Sequence, residues 1–265
     1  LTGLVLWIFF LLFHLRNWSE TKRELTHAPL LSGMATFPMA GMILSTYVFR
    51  LFPHLPLVAQ GLWWFSFLLD LILIAGFTIK FACPGRRVHA TPSWTVLYVG
   101  IAVAALTYPL VGIIEIAYVT LSFGFLLTFY LYPLIYSDLK KTPLPATLLG
   151  QEGIYCAPFS LLLASLIRVG GAGLPTWLVV IMIMVSQAFY FFVMIRLPKI
   201  VKGGFQPAFS ALTFPTIISA TSLKMAQGIL KLPFVDYLVL AETLICLFIL
   251  LFVLASYLIW LRKKV

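Results

Sequence analysis

Acidic residues are scarce in this chain: eight Asp and Glu among 265 residues, against eighteen Lys and Arg, with charged residues forming only 10% of the total. A soluble domain of this size could not clothe its surface with so few charges. Cysteine is scarce too, and Cys83, Cys156 and Cys246 show neither metal-ligand spacing nor an evident pairing. No G-x-x-x-x-G-K-[ST] loop occurs, and no helix-spaced pair of carboxylates stands beside a histidine. His14, His27, His54 and His89 fall at the ends of apolar runs or between them. These gaps remove the nucleotide-driven and metal-hydrolytic chemistries, so the expectation is no enzyme, no metal and no cofactor.

What the chain has instead is apolar length. Hydrophobic residues make up 62% of it, in runs of about 18–28 residues, long enough to cross a bilayer. In hydrocarbon the backbone must satisfy its own hydrogen bonds, which leaves helices or a closed barrel. These runs are too long and too continuously apolar for barrel strands. The expected fold class is therefore an all-α polytopic membrane protein, a single transmembrane domain over 1–265. Spans are placed at 1–16, 31–52, 56–80, 93–112, 114–136, 150–168, 174–196, 207–229 and 233–261.

The cations then sort by side. Gaps after the odd-numbered spans, with the C-terminus, hold Arg16, Lys22, Arg23, Lys80, Arg86, Arg87, Lys140, Lys141, Arg196, Lys199, Lys202, Arg262, Lys263 and Lys264; the other side keeps Arg50, Arg168, Lys224 and Lys231. By the positive-inside rule the C-terminus is cytoplasmic and Leu1 starts at the outer face of a plasma (inner) membrane. The net charge of +10 is then a topology signal and does not call for nucleic acid.

A repeat underlies the spans. KRELTHAPLLS, GRRVHATPSW, DLKKTPLPATLLG and KIVKGGFQPAFS each join basic residues to a short polar link and a proline (Pro29, Pro92, Pro145, Pro207) at or near a helix start. Each unit holds one outgoing and one returning span, so the units are parallel repeats about an axis along the membrane normal. Span 1–16 reads as the returning half of a fifth unit, giving ten helices in the parent architecture. Outgoing spans carry interior breaks at Pro38, Pro158 and Pro215, with Gly100 at the matching place in the remaining one; they are also rich in small and hydroxyl residues. The general abundance of Pro, Gly and small residues in membrane helices would explain any one span. Their restriction to one class of span, in register, points to kinked inner helices around an axial path.

The segments HAPLLSGMATFPMAGMIL, YPLIYSDLKKTPLPATLLGQEGIYCAPFSLLLAS and QPAFSALTFPTIISATSL resemble, in order and over essentially the whole chain, the tellurite-resistance/dicarboxylate transporter family. That family takes in bacterial TehA proteins, fungal malate and sulfite transporters and the slow anion channels of plant guard cells. The resemblance implies five tandem helical hairpins, five inner helices forming a pore, and a homotrimer. It also implies a gate: the phenylalanine before the kink of the ninth helix matches Phe214. Phe37, Thr36 and Thr213 are expected to line the path, Phe37 as a secondary plug.

The expected cargo is a small inorganic or organic anion. Inner spans lack the acidic rings of cation paths; Glu152 stands at a span start, where a helix N-terminus would stabilise it. Arg50, Arg168 and Lys224 lie near outer ends of inner helices and either form a positive vestibule or snorkel to the interface. Asp70 and Glu242 fall inside returning spans, where a carboxyl is costly. They are read either as interhelical hydrogen-bonding groups or as proton-coupling sites. Two functions follow: an anion channel closed by Phe214, or a proton-coupled carrier of C4-dicarboxylate, sulfite or tellurite.

Overall fold

The structure is a computed structural model, and it describes residues 2–85 and 87–263. Leu1, Arg86 and Lys264, which entered the topology argument, lie outside the described residues. Among the described residues every regular element is helical. The chain divides into two compact units, residues 1–131 and 132–265.

In the first unit, α1 (Thr2–Arg16) leads into a short α2 (Trp18–Glu24). The next span is split into α3 (Ala28–Met34) and α4 (Thr36–Leu51) at Ala35. α5 (Pro56–Phe77) runs on into a π-helical turn, Thr78–Ala82. α6 (Ser93–Gly100) and α7 (Val103–Thr107) form one span bent by 45°. α8 (Ile114–Lys141) crosses from the first unit into the second.

The second unit's outgoing spans start differently. A 3₁₀ stretch, Ala146–Cys156, runs into α9 (Ala157–Gly170), and a shorter one, Pro207–Leu212, runs into α11 (Thr213–Leu230). The returning spans α10 (Thr176–Lys202) and α12 (Pro233–Arg262) are continuous.

The expected breaks are present, but one turn earlier than the prolines suggest. Pro38 and Pro215 are each the third residue of a new helix, and Pro158 is the second. The first turn of a helix leaves its N–H groups without carbonyl partners, so a residue lacking an N–H loses nothing there. Proline starts these helices and does not interrupt them. Gly100 ends α6, directly before the 45° bend.

Among the described residues, six spans are long and apolar enough to cross a bilayer, or seven with the bent α6–α7 pair, against nine expected from sequence. α1 has only 15 helical residues, short of the roughly 20 that a crossing takes. α11 is helical over 18 residues but carries Thr, Ser, Lys224 and Gln227, which lowers its hydropathy below that of the six. Several returning helices also outrun their expected ends: α8 and α10 continue to Lys141 and Lys202, since charged residues extend a helix beyond hydrocarbon as readily as inside it.

Burial separates the two classes of span. The span Ala146–Gly170 is 72% buried and Ala28–Leu51 is half buried, whereas the returning span Pro233–Arg262 is only 17% buried. Returning helices expose large apolar side chains such as Leu126, Ile195 and Phe248, the composition that faces lipid. The chain is an all-α multi-pass membrane protein.

Candidate functional site

Thr-Phe-Pro opens an inner helix twice, at 36–38 and at 213–215. In both, the threonine hydroxyl bonds back over the break to the carbonyl three residues earlier: Thr36 Oγ1 to Gly33 O at 2.8 Å and Thr213 Oγ1 to Ser210 O at 2.7 Å. Such local bonds give a chain end an alternative to the helical ladder and fix the entry into the new helix.

The two phenylalanines have unlike surroundings. Phe37 is stacked on Trp7 of α1, with ring centroids 4.4 Å apart and 7° between planes, and Phe10 lies 5.1 Å away. Trp7 Nε1–H also donates to Phe37 O at 2.9 Å. Phe214 is half-buried in the first turn of α11. Among the described residues it has no aromatic partner. Both rings are half-buried; one is clasped by an aromatic neighbour and, among the described residues, the other is not.

Glycine sets how closely the second unit's outgoing spans approach each other. A 3₁₀ helix turns every three residues, so Gly150 and Gly153 lie in one row. A Cβ on Gly150 would overlap the Ala208 carbonyl and come within 2.9 Å of Phe209 N; one on Gly153 would come within 2.5 Å of Leu212 Cδ2. The two 3₁₀ stretches thus meet backbone to backbone, which explains why the longer one lasts eleven residues when such runs usually end after three or four. In the first unit Gly100 meets a side chain, with Met39 Sδ 2.6 Å from a Cβ placed there. Ser32 Oγ–H donates to Ser93 Oγ at 2.8 Å between α3 and α6.

The buried carboxyls also differ. Asp70 in α5 is fully buried, and among the described residues neither carboxyl oxygen has a hydrogen-bond partner. Glu242 in α12 accepts a 2.9 Å bond from Ser219 of α11. Gln187 of α10 lies next to it, although the Gln187 amide atoms and Glu242 Oε1 lack a bond of good geometry. Glu152, expected at a helix N-terminus, sits inside the 3₁₀ stretch instead. Arg196 of α10 holds it through Nε and Nη2, at 2.7 and 2.6 Å. Arg50 and Arg168 are exposed in the last turns of α4 and α9, and Lys224 is exposed on α11.

Sequence reasoning missed the Trp7 clasp, the glycine row and the Arg196 partner. Only the glycine row left a local signal, the three-residue spacing in GQEG; the other two join residues 30 and 44 positions apart.

A comparison with curated proteins gave no match. A protein-family model did match, covering residues 1–258. With its broken inner spans and lipid-facing returning helices, the chain belongs to the voltage-dependent anion channel family (SLAC1), the tellurite-resistance/dicarboxylate transporter group, whose members carry anions across membranes.

Proposed function

We propose that this protein is a passive anion channel whose axial path, lined by the inner spans, is closed by the ring of Phe214. The observation that carries the reading is the contrast between the two Thr-Phe-Pro motifs: Phe37 is stacked on Trp7, while Phe214 is half-buried and, among the described residues, has no ring partner. A side chain that gates must be free to turn, and rotamer changes of an unclasped ring are fast. Hydroxyls at the breaks, Thr36 and Thr213 among them, would replace part of an anion's hydration weakly, as conduction requires. Arg50, Arg168 and Lys224 would raise the anion concentration at the outer mouth. Phe37 would act as a second plug only on leaving Trp7.

In this reading the protein is a transporter and not an enzyme. It works without a cofactor in the plasma (inner) membrane of a prokaryote, as a homotrimer like others of its kind, with the C-terminus in the cytoplasm where Arg262 and Lys263 lie. Its cargo is a small inorganic or organic anion.

A second reading has its own observation. Asp70 is a fully buried carboxyl whose two oxygens have no partner among the described residues, and intramembrane carboxyls of this kind serve proton relays in carriers. Asp70 or Glu242 would then couple protons to C4-dicarboxylate, sulfite or tellurite uptake.

Bilayer currents separate the two. Under symmetrical pH, Phe214→Ala should raise an anion-selective current about tenfold or more over wild type, the change that lowering a barrier by roughly 1.4 kcal/mol brings. Silence from both proteins, with dicarboxylate uptake that follows a pH gradient and is lost in Asp70→Asn, would replace the channel by the carrier.

A further inference from the structure

A cavity of about 650 Å³ lies in the second unit between α8 and α10, beneath the link from Lys141 to Ala146. Its apolar wall includes Tyr136, Phe189 and Phe192, and its charged lining is Lys140, Lys199, Arg196 and Glu152. α8 and α10 are lipid-facing helices, and two of the wall residues remain open to the outside, Tyr136 at 65% and Phe192 at 43% exposure. The slot is therefore reached from the bilayer.

The charges are not balanced. Among the described residues Glu152 is the single carboxylate of the lining, and both of its oxygens are taken by Arg196 Nε and Nη2. Arg196 keeps Nη1 outside that fork. Lys140 and Lys199, in the last turns of α8 and α10, form no ion pair among the described residues. Lys140 Nζ is held 5.2 Å over the Tyr136 ring, above the apolar wall. An apolar slot with two unpaired lysines at its polar end matches an amphiphile with an acyl chain and a negative head.

We infer that this cavity binds an anionic phospholipid, one acyl chain lying along Tyr136, Phe189 and Phe192 and the phosphate reaching Lys140, Lys199 and Arg196 Nη1. Basic pockets between membrane helices recognise anionic headgroups in this way. In the orientation proposed above, the polar end of the cavity lies in the cytoplasmic leaflet; the match to an anionic lipid does not depend on that orientation. Because Glu152 belongs to the lead-in of an inner span, the lipid braces that span through Arg196.

The test is native mass spectrometry of the full chain in neutral detergent, titrated with phosphatidylglycerol or phosphatidylcholine. The expected result is preferential retention of phosphatidylglycerol. Affinity should fall about thirtyfold in the double variant K140Q/K199Q, as loss of two lysines near an anionic head implies. It should be unchanged in K202Q/K263Q, which removes cations from the same end outside the cavity. A188W, which fills the slot, should lose binding of both lipids. Equal retention of the two lipids by wild type would overturn the inference, as would full phosphatidylglycerol affinity in K140Q/K199Q. So would thermal protection by inorganic phosphate alone equal to that by the lipid. An A188W variant that dissociates an oligomer while keeping its lipid would assign the cavity to a second copy of the chain instead. Should A188W fail to fold, the two exposed-lysine variants decide the matter by themselves.

Discussion

The two Thr-Phe-Pro motifs carry the same hydroxyl bond and opposite fates for the ring. In the first unit Trp7 stacks on Phe37 and also donates to its carbonyl; in the second, Phe214 is half-buried with no such partner among the described residues. The break itself is a local device, built from a threonine that bonds backwards and a proline that needs no N–H donor. Whether the phenylalanine in between can move is decided elsewhere, by a helix thirty residues away. The units differ in a second way. The first breaks its inner spans between two α-helical segments, while the second enters each through a 3₁₀ stretch. Gly150 and Gly153 account for this: spaced one 3₁₀ turn apart, they let two lead-ins touch along their backbones. In the first unit the glycine of the bend meets only a methionine side chain.

That difference makes the largest prediction. In Gly150→Ala the new methyl would lie on the Ala208 carbonyl, which cannot move without shifting the lead-in of α11. Overpacking of this kind costs roughly 3 kcal/mol or more, so thermal unfolding in detergent should drop steeply or folded protein should be lost. In Gly100→Ala the clash is with Met39 Sδ at 2.6 Å, the flexible part of a side chain, and alanine also returns up to about 1 kcal/mol of helix propensity. Its Tm should change little. Similar losses in the two variants would mean that the backbone contact is not what sets the 3₁₀ lead-ins apart.

The buried carboxyls offer the next contrast. Glu242→Ala removes the acceptor of the Ser219 hydroxyl, leaving a fully buried donor without its partner. The expected cost is about 1–3 kcal/mol. Asp70→Ala removes a group that, among the described residues, has no hydrogen bond to lose, and relief from burying it offsets the small cavity left behind. Its Tm should hold or rise. If Asp70→Ala proves the more damaging, then Asp70 has a partner in the working protein, and the carrier reading gains weight over the channel.

Span order, helical class and the division into broken and continuous spans were legible in the sequence, because each rests on local chemistry: apolar length, basic links, and prolines at fixed offsets. The prolines were read as interior kinks because an apolar run conceals its own restart; only the backbone shows that Pro38, Pro158 and Pro215 lie in first turns. α11 was placed as an apolar run like the others, yet its Thr, Ser, Lys224 and Gln227 hold its hydropathy below that of the six long spans. The site was legible in its residues and not in its contacts. Nothing near Phe37 in the sequence announces Trp7, and nothing near Glu152 announces Arg196. Those pairings depend on which helix faces which, a property of packing between spans.

The smallest effect tests what the two motifs share. Thr36→Val and Thr213→Val keep the β-branched shape and remove only the hydroxyl, hence the bonds to Gly33 O and Ser210 O. Both bonds lie in exposed settings, so each substitution should cost about 0.5 kcal/mol, the low end for a hydrogen bond that water can replace. The two costs should be equal, because the bond is made inside the break and owes nothing to Trp7 or to the glycine row. If Thr36→Val were much the milder, the Trp7–Phe37 stack would be fixing the first break by itself. The hydroxyl would then matter only where the ring is free. Equal shifts in Tm would leave the ring's surroundings as the one feature that separates Phe37 from Phe214, while conduction of the two valine variants should fall below wild type, because each loses a hydroxyl that the proposed path offers the anion.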